Sequence, residues 1–205
     1  CSGFTVPAVN IRGLTYDTAR AVFRSVLKNK AGAIIFEIAK SEMGYTDQSP
    51  YEYATVVIAA ALREGYKGPV FIQGDHFQIN PKNYAQDREK EIAGLRELIK
   101  KAVGAGFYNI DIDASTVVDL SKGHVVEQQT PNFETTAELT KFIRDIEPNG
   151  ITISIGGEIG EVGGKNSTEE DLRVFMDNYL AAIANKGNNI KGISKMSIQT
   201  GTSHG

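Results

Sequence analysis

Short apolar runs alternate with longer amphipathic segments along the 205-residue chain, and this alternation constrains the fold more than any other feature. The apolar runs predict six strands, at residues 5–11, 33–39, 70–73, 107–112, 151–155 and 193–199. The amphipathic segments predict five helices, at residues 15–30, 51–64, 85–104, 133–146 and 167–185. One strand and one helix together repeat about every 35–40 residues, a spacing typical of βα units in a parallel sheet.

This pattern predicts an α/β protein, a (β/α)8 TIM barrel of which about six βα units are present and the C-terminal part is missing. A complete barrel needs roughly 200–250 residues for its eight units. We therefore expect residues 1–205 to form a single barrel domain, incomplete at its C-terminus, in a chain that is a fragment or a subset of a longer protein. A doubly wound open sheet is the alternative, but no G-x-G-x-x-G motif follows the first strand. Residues 116–132 are predicted as a long loop, and loops of that length are usually functional or mobile.

Composition excludes several classes of partner. The net charge of −3 gives no basic field for nucleic acid or an anionic membrane surface. No apolar run approaches the ~20 residues of a membrane-spanning helix. The single cysteine, Cys1, rules out an internal disulfide framework and suits a reducing compartment. We therefore predict a cytoplasmic protein with no nucleic-acid or membrane partner.

Polar side chains follow the predicted strands at the end where parallel α/β folds bind ligands. Asp75 and His76 follow a strand directly, so His76 is a candidate metal ligand and Asp75 a candidate base. The simpler interpretation is that Asp75 or Asn80 caps a helix and that His76 is an ordinary loop residue. The other polar residues in equivalent positions are Asn10, Ser41, Glu42, Asp113, Ser115, Glu158 and His204.

Two histidines, His76 and His204, follow strands in this way, and a catalytic zinc ion takes three protein ligands. The third ligand would be Glu158, Asp113 or a residue beyond Gly205. The glycines at 156–164 and beside His204 could let backbone N–H groups cradle an anion such as phosphate.

Each candidate also has a simpler explanation. Asp113-Ala114-Ser115, taken alone, is more typical of a turn cap than of a site, and Glu158 could be a surface turn residue. We interpret His124 as a solvated loop residue. Lys195 within a strand and Lys40 at a strand end could form a Schiff base, but no partner in the sequence supports that role.

Five motifs occur in order along the chain and together resemble one known family. They are Val6-Pro7-Ala8-Val9-Asn10, Gly74-Asp75-His76, Ile112-Asp113-Ala114-Ser115, Gly157-Glu158-Ile159-Gly160 with Gly163-Gly164, and Thr202-Ser203-His204-Gly205. The set is similar to the class II, zinc-dependent fructose-bisphosphate and tagatose-bisphosphate aldolases. The resemblance extends over essentially the whole chain.

The resemblance implies a (β/α)8 barrel that reversibly cleaves a ketose 1,6-bisphosphate to dihydroxyacetone phosphate and glyceraldehyde 3-phosphate. It implies that His76 and His204 bind Zn²⁺, with Glu158 as an alternative ligand and a monovalent cation as an optional second ion. It implies that Asp75 exchanges a proton with the hydroxyl group on the cleaved bond. The substrate-binding residues that it implies are Asn10, Ser41, Asp113, Ser115 and Gly205. Zn²⁺ would act as a Lewis acid on the enediolate that cleavage leaves.

The sequence also departs from the family pattern. The third zinc histidine of the family is expected beyond residue 205, and Gly156 stands where the family usually has Glu. Gln73-Gly74-Asp75-His76 with Asn80-Pro81 also resembles the non-catalytic accessory subunits of bacterial tagatose-bisphosphate aldolases. The alternatives to an aldolase are therefore such an accessory subunit or a sugar-phosphate epimerase on the same scaffold. The family is commonly oligomeric, so the resemblance implies a homodimer or homotetramer.

Overall fold

The computed structural model describes residues 6–160 and 166–200 of the chain. Strands and helices alternate, as the sequence pattern predicts. The strands are β1 (Ala8–Asn10), β2 (Ile34–Ala39), β3 (Val70–Gln78), β4 (Asn109–Asp113), β5 (Ser154–Glu158) and β6 (Lys195–Ser197). The helices are α1 (Thr15–Lys28), α2 (Lys40–Thr46), α3 (Pro50–Arg63), α4 (Pro81–Gln86), α5 (Arg88–Gly104), α6 (Val125–Ile146) and α7 (Glu169–Ala184), with a short 3-10 helix at Ser115–Val117.

The chain forms two compact units. The first contains the residues up to Asp75 together with Lys101–Asn109, and the second contains His76–Lys100 together with the residues from Ile110 onward. The strand order is β1-β2-β3 in the first unit, and it runs from the last residues of β3 through β4, β5 and β6 in the second. The β1–β2, β2–β3 and β5–β6 pairs are parallel. Strands that follow the order of the sequence without reversal are typical of a barrel and differ from the doubly wound order. The α/β class is therefore confirmed, and closure into eight units remains a prediction.

The first unit is held together by aromatic side chains between α1, α3 and the strands. The buried ring of Phe23 on α1 lies 4.8 Å from Phe36 of β2 and 4.9 Å from Tyr66, measured between ring centroids. Tyr53 of α3 contacts Phe107 in the same way. These contacts cover one side of the sheet of this unit.

In the second unit, α6 and α7 pack together over the strands. The core between them consists of Phe133, Ala137, Ile159, Phe175, Tyr179 and Ile183. The Tyr179 hydroxyl accepts a hydrogen bond from Ile193 N (3.0 Å) and donates one to Thr140 Oγ1 (3.2 Å). Burial raises the pKa of Tyr179, so the hydroxyl stays protonated and available as a donor.

Replacing Tyr179 with phenylalanine is expected to lower the free energy of unfolding by about 1–2 kcal/mol, because the Ile193 N–H and the Thr140 hydroxyl lose a partner while the ring remains. Urea denaturation would measure this change. Tyr45→Phe is the control, since Tyr45 is exposed, and it should change stability by less than about 0.5 kcal/mol. Equal effects of the two substitutions would show that the hydrogen bonds of the buried Tyr179 hydroxyl do not stabilise the fold.

Strand β3 is longer than the strand predicted at 70–73, which changes the position of the Gly74-Asp75-His76 motif. Asp75 and His76 are strand residues and do not lie in a loop after the strand. Residues 70–75 pair with β2, with Ala39 opposite Asp75. Beyond the motif, Phe77 and Ile79 are fully buried and lie two residues apart, the spacing of side chains on one face of an extended segment. That spacing was the sequence signal for the longer strand.

The predicted loop at 116–132 is wrong in its second half, because α6 begins at Val125. Pro131 lies inside the helix, although proline lacks an N–H donor and usually indicates a helix boundary. Polar residues on this early part of the helix, Gln129 and Asn132, are buried.

Other elements also differ from the prediction. Strand β5 was predicted at 151–155 but runs from Ser154 to Glu158, so Gly156 and Gly157 belong to the strand and not to an anion-binding loop. Helices α2 and α4 were not predicted, and α5 begins at Arg88. Asn80 caps α4, because its side-chain oxygen accepts hydrogen bonds from the backbone N–H groups of Lys82 and Asn83. The simpler interpretation of the sequence expected this cap.

No helix in the described part of the chain is long and apolar enough to cross a membrane.

Candidate functional site

One imidazole and two carboxylates converge at the carboxyl ends of three strands in the second unit. His76 comes from β3, Asp113 ends β4 and Glu158 ends β5. His76 Nδ1 lies 3.2 Å from Asp113 Oδ2 and 3.6 Å from Glu158 Oε2. One potential ligand atom of each residue lies within 4.8 Å of the others. The two carboxylates are about 1% exposed and the histidine is 38% exposed, so the imidazole forms the accessible side of the group.

His76 has an unusual backbone conformation for a strand residue. Its φ angle is 42°, in the left-handed region that residues with a Cβ seldom adopt. Such a conformation costs of order 1–3 kcal/mol and persists where the surrounding structure enforces it. Strain of this kind is concentrated at functional sites, which supports a functional role for the orientation of His76.

Asp113 is the most strongly hydrogen-bonded member of the group. Its Oδ1 accepts hydrogen bonds from Ser115 Oγ (2.7 Å) and Ser115 N (3.2 Å), and its Oδ2 accepts one from Gln78 Nε2 (2.9 Å). Burial alone would raise the pKa of Asp113, but hydrogen bonds from His76, Ser115 and Gln78 outweigh it and lower the pKa below its usual value. The carboxylate therefore stays ionised. The turn-cap interpretation of Asp113 and Ser115 is correct for their mutual contact, and the same carboxylate also faces His76.

Glu158 is positioned through both its side chain and its backbone. Gln199 Nε2 donates to Glu158 Oε1 (3.3 Å), and Asn132 Nδ2 on α6 donates to the backbone carbonyl oxygen of Glu158 (2.8 Å). Asn132 Nδ2 also lies 3.1 Å from Gln129 Oε1. Glu158 is therefore a buried strand residue and not a surface turn residue.

Sequence reasoning missed four polar residues around Asp113 and Glu158. Gln78 and Gln199 donate to the two carboxylates. Asn132 donates to the Glu158 backbone carbonyl and to Gln129. The available signal was the helical spacing of the polar residues 129, 132, 136 and 140, which lie on one face of α6 and are all buried. An amphipathic pattern assigns such residues to solvent, so only the packing shows that they face the sheet.

Replacing Asn132 with alanine is expected to lower the free energy of unfolding by about 1–3 kcal/mol, because the buried carbonyl of Glu158 loses its donor. Asn178→Ala is the matched control. Asn178 also donates to a backbone carbonyl, that of Val174, but from a less buried position on α7. Urea denaturation of the two variants should give a clearly larger loss for Asn132. The role assigned to Asn132 is refuted if both variants lose the same amount.

Of the other predicted residues, Asn10, Ser41 and Asp75 belong to the first unit. Asn10 Nδ2 donates to Glu42 Oε2 (2.8 Å), and Ser41 is exposed on α2. Asp75 is half-buried in β3. His204 and Gly205 lie outside the described residues. The structure therefore brings together His76, Asp113, Ser115 and Glu158 of the predicted set.

The His76, Asp113 and Glu158 group fits a divalent cation. Two buried carboxylates close together repel one another and favour a positive charge between them. A neutral imidazole and two carboxylates are suitable ligands for Zn²⁺, and the oxygen-rich set also suits harder ions such as Mn²⁺. When bound, the cation would polarise a substrate oxygen as a Lewis acid.

Comparison with known proteins gives one family and one fold. Residues 37–188 match the model of the family described as D-tagatose-1,6-bisphosphate aldolase subunit GatZ/KbaZ-like. No curated protein sequence matches the chain. The crystal structure of a probable tagatose 6 phosphate kinase from Sinorhizobium meliloti 1021 superposes with a TM-score of 0.71 at 15% identity, over 96% of this chain and 49% of that one. At this identity the likeness shows the fold alone, and the chain spans about half the length of that protein.

Proposed function

We propose, since the chain belongs to the GatZ/KbaZ-like family of D-tagatose-1,6-bisphosphate aldolase subunits, that it is part of a metal-dependent aldolase. The reaction is the reversible cleavage of a ketose 1,6-bisphosphate, tagatose or fructose, to dihydroxyacetone phosphate and glyceraldehyde 3-phosphate. The observation that carries the proposal is the convergence of His76, Asp113 and Glu158 at the strand ends.

Each residue has a defined task in this proposal. His76 binds a divalent cation, Zn²⁺ in our proposal, together with His204 and with Glu158 as an alternative ligand. Asp113, held ionised by Ser115 and Gln78, orients the His76 ring through the 3.2 Å contact. A carboxylate that holds the second nitrogen of a ligating histidine fixes its tautomer and raises its basicity.

Proton transfer in the proposed reaction falls to Asp75, which directly precedes His76 in β3. Cleavage removes the proton from the hydroxyl group on the bond that breaks, and a carboxylate is a suitable acceptor. A cation held by His76 would supply Lewis-acid chemistry toward the dihydroxyacetone phosphate fragment. Asn10, Ser41, Ser115 and Gly205 remain proposed substrate-binding residues.

The second candidate function is that of a non-catalytic accessory subunit, which the word subunit in the family description favours. In this case the protein would stabilise a catalytic partner chain. The partners in our proposal are a phosphosugar and further protein subunits, copies of this chain or a catalytic partner. We propose a cytoplasmic location for the assembly.

The deciding experiment is an assay of the full-length protein with fructose and tagatose 1,6-bisphosphates, before and after EDTA, with Zn²⁺ and Mn²⁺ added back. Cleavage that EDTA abolishes and one of the metals restores is the expected result. A folded, metal-loaded protein that cleaves neither sugar, but raises the activity or thermal stability of a catalytic tagatose-bisphosphate aldolase subunit, would establish the accessory function instead. Cleavage unaffected by EDTA would contradict both candidates.

A further inference from the structure

The strands of the second unit carry their polar residues on one face. Side chains two residues apart in a strand point to the same side, so Asp111 shares a face with Asp113, and Gly156 with Glu158. In the register of the parallel pair, Gly156 lies opposite Lys195 of β6. The other face is covered by helix, because a Cβ placed on Gly157 would lie 3.6 Å from the Thr136 side chain of α6. Lys195 therefore belongs to the same polar face as the candidate metal ligands.

Gly156 provides the space in which Lys195 and Asp111 meet. A Cβ at Gly156 would overlap Asp111 Oδ1 and would lie 3.0 Å from Lys195 Cε. Both side chains are thus packed over the same backbone position. That position lies two residues before Glu158 in β5. A ligand atom of Asp111 also lies within 4.8 Å of one of His76, so Asp111 connects the lysine with the candidate site.

The charges on this face are unbalanced. Asp111, Asp113 and Glu158 supply three carboxylates, and Lys195 is the one lysine or arginine in the described strand residues of the second unit. A ketose bisphosphate is strongly anionic, and so is the dihydroxyacetone phosphate that its cleavage releases. A face with only carboxylates would repel such a ligand, so a cationic side chain beside the metal position reduces the repulsion.

We propose that Lys195 is an anion-binding catalytic residue that contacts an anionic oxygen of the dihydroxyacetone phosphate fragment. Asp111 holds its side chain in place over Gly156. The proposal rests on the proposed aldolase function for the identity of the ligand. Lys195 stays an ammonium throughout, forms no covalent bond and acts by charge alone. The neighbouring Asp111 carboxylate favours this charged form. The oxygen belongs either to the phosphate group or to the enediolate, and the ligands used in the test distinguish the two.

The test compares Lys195→Met and Lys195→Arg with the full-length wild-type protein loaded with metal. Isothermal titration calorimetry measures the binding of dihydroxyacetone phosphate and of inorganic phosphate, and steady-state assays measure cleavage. We expect Lys195→Met to weaken dihydroxyacetone phosphate binding at least about tenfold and to lower kcat/KM about 10²-fold, in the range found when one stabilising donor is removed. Lys195→Arg should recover part of each loss, because it keeps the charge.

Metal content separates this role from a structural one. Both variants should hold as much metal as the wild type, with the same metal Kd. A parallel loss of inorganic phosphate binding would assign the contact to the phosphate group, and unchanged phosphate binding would assign it to the enediolate oxygen. Lys100→Met, on exposed α5, is the control and should leave ligand binding unchanged.

Three outcomes would overturn the inference. The first is a Lys195→Met variant whose dihydroxyacetone phosphate Kd stays within threefold of the wild type. The second is a loss of metal affinity that accounts for the whole loss of ligand affinity. The third is a borohydride-trapped adduct of dihydroxyacetone phosphate on Lys195, which would make it a nucleophile. A wild-type protein that binds dihydroxyacetone phosphate through Lys195 but does not cleave would leave this inference intact while the aldolase proposal fails.

Discussion

On the proposed aldolase function, replacing His76 with alanine is expected to remove both the divalent metal and the cleavage activity. Within the described residues, His76 supplies the one nitrogen among the potential ligand atoms of the group of three, and its backbone is in the left-handed region. Loss of a residue that merely supports a ligand costs about 10–100-fold in metal affinity. Loss of the ligand itself should exceed that range.

The measurement is metal content after gel filtration, together with the Kd for Zn²⁺ from competition with a chelator and the rate of ketose bisphosphate cleavage. His124→Ala is the matched control, because His124 is exposed and makes no side-chain cap to α6. It should keep metal content and activity unchanged. A His76→Ala protein that retains one tightly bound ion per chain would remove His76 from the metal site, whatever its activity.

The second large effect is expected at Asp75, where substitution by asparagine should separate metal binding from catalysis. The amide has nearly the same shape as the carboxylate but does not accept a proton at neutral pH. A positioned general acid or base contributes about 10²–10⁴-fold to the rate, so kcat should fall by that factor. Metal affinity should stay within a few fold of the wild type, because the ligand set is unchanged.

Steady-state kinetics with the metal-saturated variant would measure this effect, with Asp177→Asn on the exposed side of α7 as the control. The pH profile adds a second readout, since the limb of the profile that reports deprotonation of the base should disappear with Asp75. An unchanged kcat would exclude Asp75 from proton transfer. If kcat falls only in proportion to lost metal, Asp75 acts on the metal site and not on the substrate.

Much of the architecture could be predicted from periodicity. Within residues 6–160 and 166–200, the apolar runs located all six strands, and the amphipathic segments located four of the longer helices to within a few residues. Burial of one face imposes periods of 2 and 3.6, which is why these elements were predictable. The ends of the elements were less predictable. β3 continues through Gly74 because β2 pairs with it as far as Asp75. α6 continues through Pro131, although local sequence rules place proline at a helix boundary.

The candidate site was predicted in part. His76, Asp113, Ser115 and Glu158 were all identified as residues at strand ends, and the fold brings them together. The sequence did not predict which of these side chains contact one another, since distances between side chains on different strands depend on strand register. The residues that support them, above all Asn132, look like solvent-facing positions of a helix in the sequence and are buried in the structure.

The sequence by itself determined the α/β class and the polar residues that follow its strands, since burial periodicity and the chemistry of side chains are local properties. Only the tertiary structure decided that Asp113 stays ionised against His76, that Asn132 holds the Glu158 carbonyl, and that Lys195 meets Asp111 over Gly156. These are contacts between residues dozens of positions apart, and their geometry is set by the register of the strands and the packing of helices on them.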